Sequence, residues 1–152
     1  MWTPSTLIAD AVAELKLASD SFRLLPKSQS SEILAKATSH FLTDANVLFW
    51  WEFLKLPSRS WLPDSDAWKH VLQIVPDPNE LIWFIPHDDP ENPIFETKTS
   101  TAVQVIGECA AFEYAICNMS LDWMIIENHH NCLIAIGEAA IEKMNELAGS
   151  AR

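Results

Sequence analysis

Trp123-Met124-Ile125-Ile126-Glu127-Asn128-His129-His130-Asn131-Cys132-Leu133-Ile134-Ala135-Ile136 places two short apolar runs on either side of four polar residues. Each run is strand length and rich in aliphatic side chains, and the polar block between them is turn length. The reading is a β-hairpin, with 123–127 antiparallel to 132–136 through Asn128-His129-His130-Asn131. Gly137 ends the second strand, and Glu138–Leu147 reads as a helix with Gly149 as its C′ stop.

Working upstream, Phe112–Cys117 and Glu80–Pro86 are further aliphatic and aromatic runs of strand length. Pro76-Asp77-Pro78-Asn79 is a turn, Ile94–Glu96 a short strand, and Thr99-Ser100 caps a helix through Ala110. Pro63-Asp64-Ser65 opens a helix through about Val75. Thr3 is an N-cap before Pro4, and Ile8, Val12, Leu15 and Phe22 recur at helical spacing, so 4–19 is predicted helical. Pro26 and Lys27–Ser31 form a break before a second helix over 31–42. Val47–Leu54, which includes Trp50-Trp51, favours a strand buried on both faces, although helical spacing also fits. The pattern predicts one α+β domain over 1–152, with an antiparallel or mixed sheet and helices packed mainly on one face.

Charge divides the chain unevenly. Between His70 and Glu142 stand twelve acidic residues and one base, Lys98, so this stretch carries the whole net charge of −11. Nine acids and nine bases elsewhere cancel. A field of this sign argues against nucleic acid as a partner, because phosphate binding needs clustered Lys and Arg. It suits a basic protein, which it would steer on approach. The seven Trp and seven Phe supply core filling or interface anchors, with one or two tryptophans expected on the surface. No run is long and apolar enough for a spanning helix, and the N-terminus lacks a signal-peptide pattern. Cys109, Cys117 and Cys132 lie in apolar runs without a C-x-x-C pair and read as small buried hydrophobes, which predicts a cytoplasmic setting.

Candidate chemistry is sparse. Glu127, His129 and His130 are the best group for metal or proton chemistry, with His87, Asp88 or Asp89 as a conceivable third ligand. Neighbouring strand side chains point to opposite faces, so one ion would not readily take both histidines. A structural polar turn is the expectation, with no metal and no cofactor. Cys109 lies beside Glu108 with Glu113 four residues on, but no hydrolase signature surrounds it, and an inert thiol is expected. Paired carboxylates stand at Asp88/Asp89 and Glu108/Glu113, but glycosidase-type pairs also need a substrate cleft, which is not a property of sequence. Motifs for phosphate loops, dinucleotides, nucleophile elbows and zincins are absent.

The residues Trp50-Trp51-Glu52-Phe53-Leu54-Lys55, Trp83-Phe84-Ile85-Pro86, Gly107-Glu108-Cys109 before Glu113-Tyr114, Asp122–His130 and Leu133–Glu138 together resemble a family of small uncharacterised bacterial proteins. The resemblance spans roughly residues 50–138, and the Glu-Asn-His-His block is its most specific part. It implies an accessory, non-enzymatic protein of the immunity type found beside polymorphic toxins, and it adds no catalytic residue. Combined with the charge, the expectation is neutralisation of a basic toxin domain through an exposed acidic loop, with Asp88, Asp89, Glu91 and Glu96 as contacts. A small hydrolase or metalloprotein centred on Glu127, His129 and His130 is the alternative.

Overall fold

The computed structural model describes residues 2–44, 46–47, 49–55, 57–109 and 111–150. Its elements run α1 (Pro4–Glu14), β1 (Phe22–Leu24), α2 (Lys27–Phe41), β2 (Ser58–Trp61), α3 (Val71–Ile74), β3 (Leu81–Pro86), β4 (Phe95–Lys98), α4 (Thr99–Glu108), β5 (Tyr114–Asn118), β6 (Met124–Glu127), β7 (Leu133–Ile136) and α5 (Glu138–Ser150). Short 3₁₀ turns lie at Trp50–Glu52 and Ala67–His70. The described strands form one antiparallel sheet in the order β1-β4-β3-β5-β6-β7-β2. The α+β architecture therefore stands.

The predicted hairpin is present, with Ile125 opposite Ala135 and Glu127 opposite Leu133. Alternation along the central strands sends residues to two separate cores. Ile82, Phe84, Tyr114, Ile116, Ile125, Leu133 and Ala135 face α1, α3, α4 and α5. Ile85, Ala115, Cys117, Met124, Ile126, Ile134 and Ile136 face the other way, against Ile33, Ala37 and Phe41 of α2 and against Trp50. Because both faces are covered, the central strands read as unbroken apolar runs. Four helices on one face and one on the other agree with the expected asymmetry.

Several boundaries differ from the prediction. The first helix ends at Glu14, where Lys16 adopts a left-handed φ of 55°, and Phe22 leaves the helical pattern to join β1 and pack 4.8 Å from Phe95. The polar run 27–31 is not a break but the first turn of α2, which begins directly after Pro26. The expected strand over 47–54 is instead a 3₁₀ turn with a single bridge, Leu42 to Leu54; residue 48 lies outside the described residues. Trp50 is buried against the α2-side core, so this segment covers the sheet and does not extend it. The helix expected over 64–75 is a 3₁₀ turn followed by the four residues of α3. Lys98, not Thr99 or Ser100, is the N-cap of α4, without a side-chain cap. Gly149 does not stop α5, which continues through Ser150. Thr3 does cap α1 through a reciprocal box with Thr6, with Pro4 in the first turn.

Of the tryptophans, Trp2 is exposed, Trp50 and Trp123 are buried, and the others are half-buried. Cys117 is fully buried, whereas Cys109 and Cys132 are only partly so. Gly137 is the one glycine whose backbone demands its identity: φ is +101°, and a Cβ there would lie 2.4 Å from the Asp122 carbonyl oxygen. No described helix is long and apolar enough to cross a membrane.

Candidate functional site

One end of the sheet gathers most of the polar chemistry. Pro86 pairs with Tyr114, and Tyr114 with Glu127, so the residues just beyond these pairs line up as His87, Glu113 and Asn128. The His87 amide donates to the Glu113 carbonyl at 2.8 Å, which extends the ladder by one step. Glu113 is the centre of this row. Its Oε2 accepts from the His129 backbone N–H at 2.9 Å and from Trp51 Nε1 at 3.1 Å. His129 Nδ1 lies 2.9 Å from the same oxygen. Burial pushes the Glu113 carboxyl up, but these bonds and the His129 charge more than offset it and hold it below the ordinary glutamate range.

The turn itself is built by Asn128. Its Oδ1 accepts from the amides of His130 and Cys132 at 2.9 and 3.2 Å, and Asn131 takes a left-handed φ of 58°. The turn projects both histidines into solvent, with ring centroids 3.9 Å apart. Trp51 lies 5.9 Å from each, and Phe49 lies 5.8 Å from His129. The segment read as a buried strand therefore supplies an aromatic cover for the hairpin turn.

Glu127 is not with these histidines. Its Oε1 accepts a 2.6 Å bond from Tyr114 Oη on the side of the sheet that faces α4. There it borders a cavity of ≈ 320 Å³ with Asp66, Trp68 and Cys109. Burial raises its pKa, with Asp66 adding to the effect and the Tyr114 bond opposing it. The Tyr114 hydroxyl is itself pushed well above its usual value by burial and by Glu127. The structure thus splits the sequence-proposed trio Glu127, His129 and His130 and gives the histidine a different carboxylate. Among the described residues, no group of three or more His, Cys, Asp or Glu side chains converges to hold a metal ion. Burial and the nearby Glu108 and Asp10 carboxylates push the Cys109 thiol up to about 11, so it is protonated near neutrality.

The acidic loop is only partly exposed, which corrects the sequence expectation. Asp88 and Glu91 are on the surface, but Asp89 is 5% exposed and His87 is 8% exposed. Asp89 turns inward to the N-terminus of α1, whose own first turn has no acidic residue. Its Oδ2 accepts from the Ser5 backbone N–H and hydroxyl at 2.7 and 2.6 Å, and its Oδ1 from the Glu91 amide at 2.9 Å. It supplies the negative charge that a helix N-terminus favours. Glu96 is half-buried and bonded to Arg23 at 2.6 Å, across the β1–β4 ladder. Glu91 lies 3.8 Å from Lys27. The N-terminal bases thus fold over part of the acidic half, which the linear charge count did not anticipate.

Between α2 and the connection following β3 lies a cavity of ≈ 490 Å³, bordered by Leu34, Val47, Trp50 and His87. The His87 ring is 4.4 Å from that of Trp50. Burial lowers the imidazole pKa to about 4 against the opposing charge of Glu113, so it is neutral at ordinary pH. Sequence reasoning missed Trp51 and Glu113 as partners of the hairpin turn and missed the burial of His87. The register β3-β5-β6 is the signal that unites them, and it is set by strand order.

Taken together, the chain is an α+β protein with a covered antiparallel sheet and an imidazole-aromatic cluster at one end. It belongs to a family of unknown function, DUF6756, whose model matches residues 5–148. Neither curated proteins nor solved structures show a match to it.

Proposed function

We propose that this chain acts by binding another protein, and that it is an immunity-type protein which neutralises a basic toxin domain. The observation that carries the reading is the uncompensated surface charge. Asp77, Asp88, Glu91, Glu108, Asp122, Glu138 and Glu142 are all exposed. Of these, only Glu91 lies in an ion pair among the described residues, and that pair is 3.8 Å long and open to solvent. The aromatic cluster adds an anchor of the kind that binding surfaces use: Phe49 is 36% exposed and lies against Trp51 and the solvent-facing His129. Asp88, next to His87 at the same end of the sheet, is an exposed acid, as is Glu52 beside Trp51. Asp89 and Glu96 contribute by shaping the loop and the sheet edge.

The test is rescue of toxicity. The protein encoded directly beside this one is produced with and without this chain, and complex formation is measured at low and high salt. The reading expects relief of growth arrest and an affinity that falls as salt rises. The double variant Asp88→Lys, Glu91→Lys should slow association while keeping its fold. A neighbour that is harmless and forms no complex would sink the proposal. The hydrolase alternative receives no support from a specific observation, since Glu127 stands apart from the histidines and Cys109 is protonated.

A further inference from the structure

Glu127 borders the ≈ 320 Å³ cavity on the α4 side of the sheet and is partly open to solvent. Its Oε1 is engaged by the Tyr114 hydroxyl, while its Oε2 accepts no hydrogen bond among the described residues. No Lys or Arg among the described residues forms an ion pair with it. Burial raises its pKa and the like charge of Asp66 adds to this, so its negative charge is left without an offset inside the chain. A single positive charge from outside would supply that offset.

Two further walls are aromatic and partly open, Trp68 and Phe112. Trp68 is held in place on two sides. Its ring lies against Gly107, where an added Cβ would come within 2.9 Å of Cη2. The turn that carries it is tied to the β6–β7 hairpin by Asn131, which accepts from the Ala67 amide at 2.8 Å and donates to the Ser65 carbonyl at 2.9 Å. This tie keeps Trp68 beside the end of β6, where Glu127 lies. The chain's own Lys69 already uses the rim as a cation site, with its ammonium 5.6 Å from the Trp68 ring centroid and 3.4 Å from Asp66 Oδ2. Lys69 thereby offsets Asp66 and leaves the charge of Glu127 unmatched.

We propose that this cavity receives one guanidinium group, that of an arginine side chain presented by a basic partner protein, laid against Trp68 and donating to Glu127 Oε2. A guanidinium is planar, weakly hydrated and rich in N–H donors, so it suits an aromatic wall beside a carboxylate better than a compact ammonium does. The inference rests on the reading of the chain as a binder of a basic protein, and it names the anchor.

The experiment titrates the full chain at low salt with the peptide acetyl-Gly-Arg-Gly-amide, followed by tryptophan fluorescence and NMR shifts. The same peptide carrying citrulline, which is neutral and of equal shape, or lysine serves as comparison. The arginine peptide is expected to bind saturably with a Kd below about 10 mM. The citrulline peptide should bind at least about tenfold more weakly, and the lysine peptide at least about threefold. Glu127→Gln should weaken arginine binding about tenfold without loss of Tm, an effect that a purely structural carboxylate would not give. Trp68→Leu is the second variant and should weaken it at least about threefold. In the complex with the protein encoded alongside, Glu127→Gln should speed dissociation about tenfold. The proposal is overturned if the arginine peptide does not bind, if the citrulline or lysine peptide binds as tightly, or if both variants leave peptide binding or the complex unchanged. Any of these results leaves the rescue of toxicity standing, whereas a harmless neighbour beside specific arginine binding removes the toxin reading alone.

Discussion

Replacing Asp89 with alanine removes three hydrogen bonds at one buried carboxylate. Two come from Ser5, in the first turn of α1, and the third from the Glu91 amide that shapes the loop. Bonds to a charged acceptor contribute about 1.5–3 kcal/mol each, but the freed Ser5 groups lie at a helix end and can turn partly to water. The net loss expected for Asp89→Ala is therefore about 3 kcal/mol, or a fall in Tm of about 6–12 °C for a domain of this size. The pH dependence follows from the direction of the shift. Burial pushes the Asp89 carboxyl up, but the bonds from Ser5 and Glu91 prevail and hold it below its ordinary value of 3.8. A depressed folded-state pKa gives stability that is present above the unfolded value and disappears as pH falls through the folded one. The difference between the parent and Asp89→Ala should thus be full at pH 7 and narrow in acid, below about pH 4. Urea unfolding followed by far-UV circular dichroism, repeated from neutral to acid pH, measures both. A variant within about 0.5 kcal/mol of the parent at pH 7, or a gap that widens on acidification, would refute the anchoring role.

Two further outcomes follow from the same geometry. Burial raises the Glu127 pKa above its ordinary 4.5, so the charge is unfavourable in the fold, and stability from its protonated form is lost as pH rises through the folded value. Glu127→Gln keeps an acceptor for Tyr114 and should be neutral or stabilising at pH 7, with that advantage fading in acid; clear destabilisation at pH 7 in a thermal melt would count against it. Gly137→Ala forces a Cβ to within 2.4 Å of the Asp122 carbonyl at φ +101° and should cost about 3 kcal/mol or more, read as a large fall in the urea midpoint.

The central strands were legible in the sequence because both of their faces are buried. Residues in β3, β5, β6 and β7 alternate between two cores, so each strand is a continuous apolar run bounded by turn residues. The Asn-His-His-Asn turn and the Thr3 cap were equally readable, since both are local devices. The strands that escaped, β1 and β2, are the two edges of the sheet. Each is three or four residues long and carries Arg or Ser among its apolar side chains, as edges do to avoid further pairing, and this erases the apolar signal. The Trp50-Trp51 segment misled because aromatic burial alone cannot distinguish a strand from a 3₁₀ turn lying across a sheet.

What the sequence determined by itself is therefore the fold class, the hairpin and the acidic excess. Which acids remain free was decided in three dimensions: Asp89 is drawn to the α1 N-terminus, Glu96 to Arg23, and Glu113 to His129 and Trp51. These partners lie 84, 73, 16 and 62 residues apart in the chain. Pairings of that range depend on strand order and register, which bring together residues that no local pattern relates.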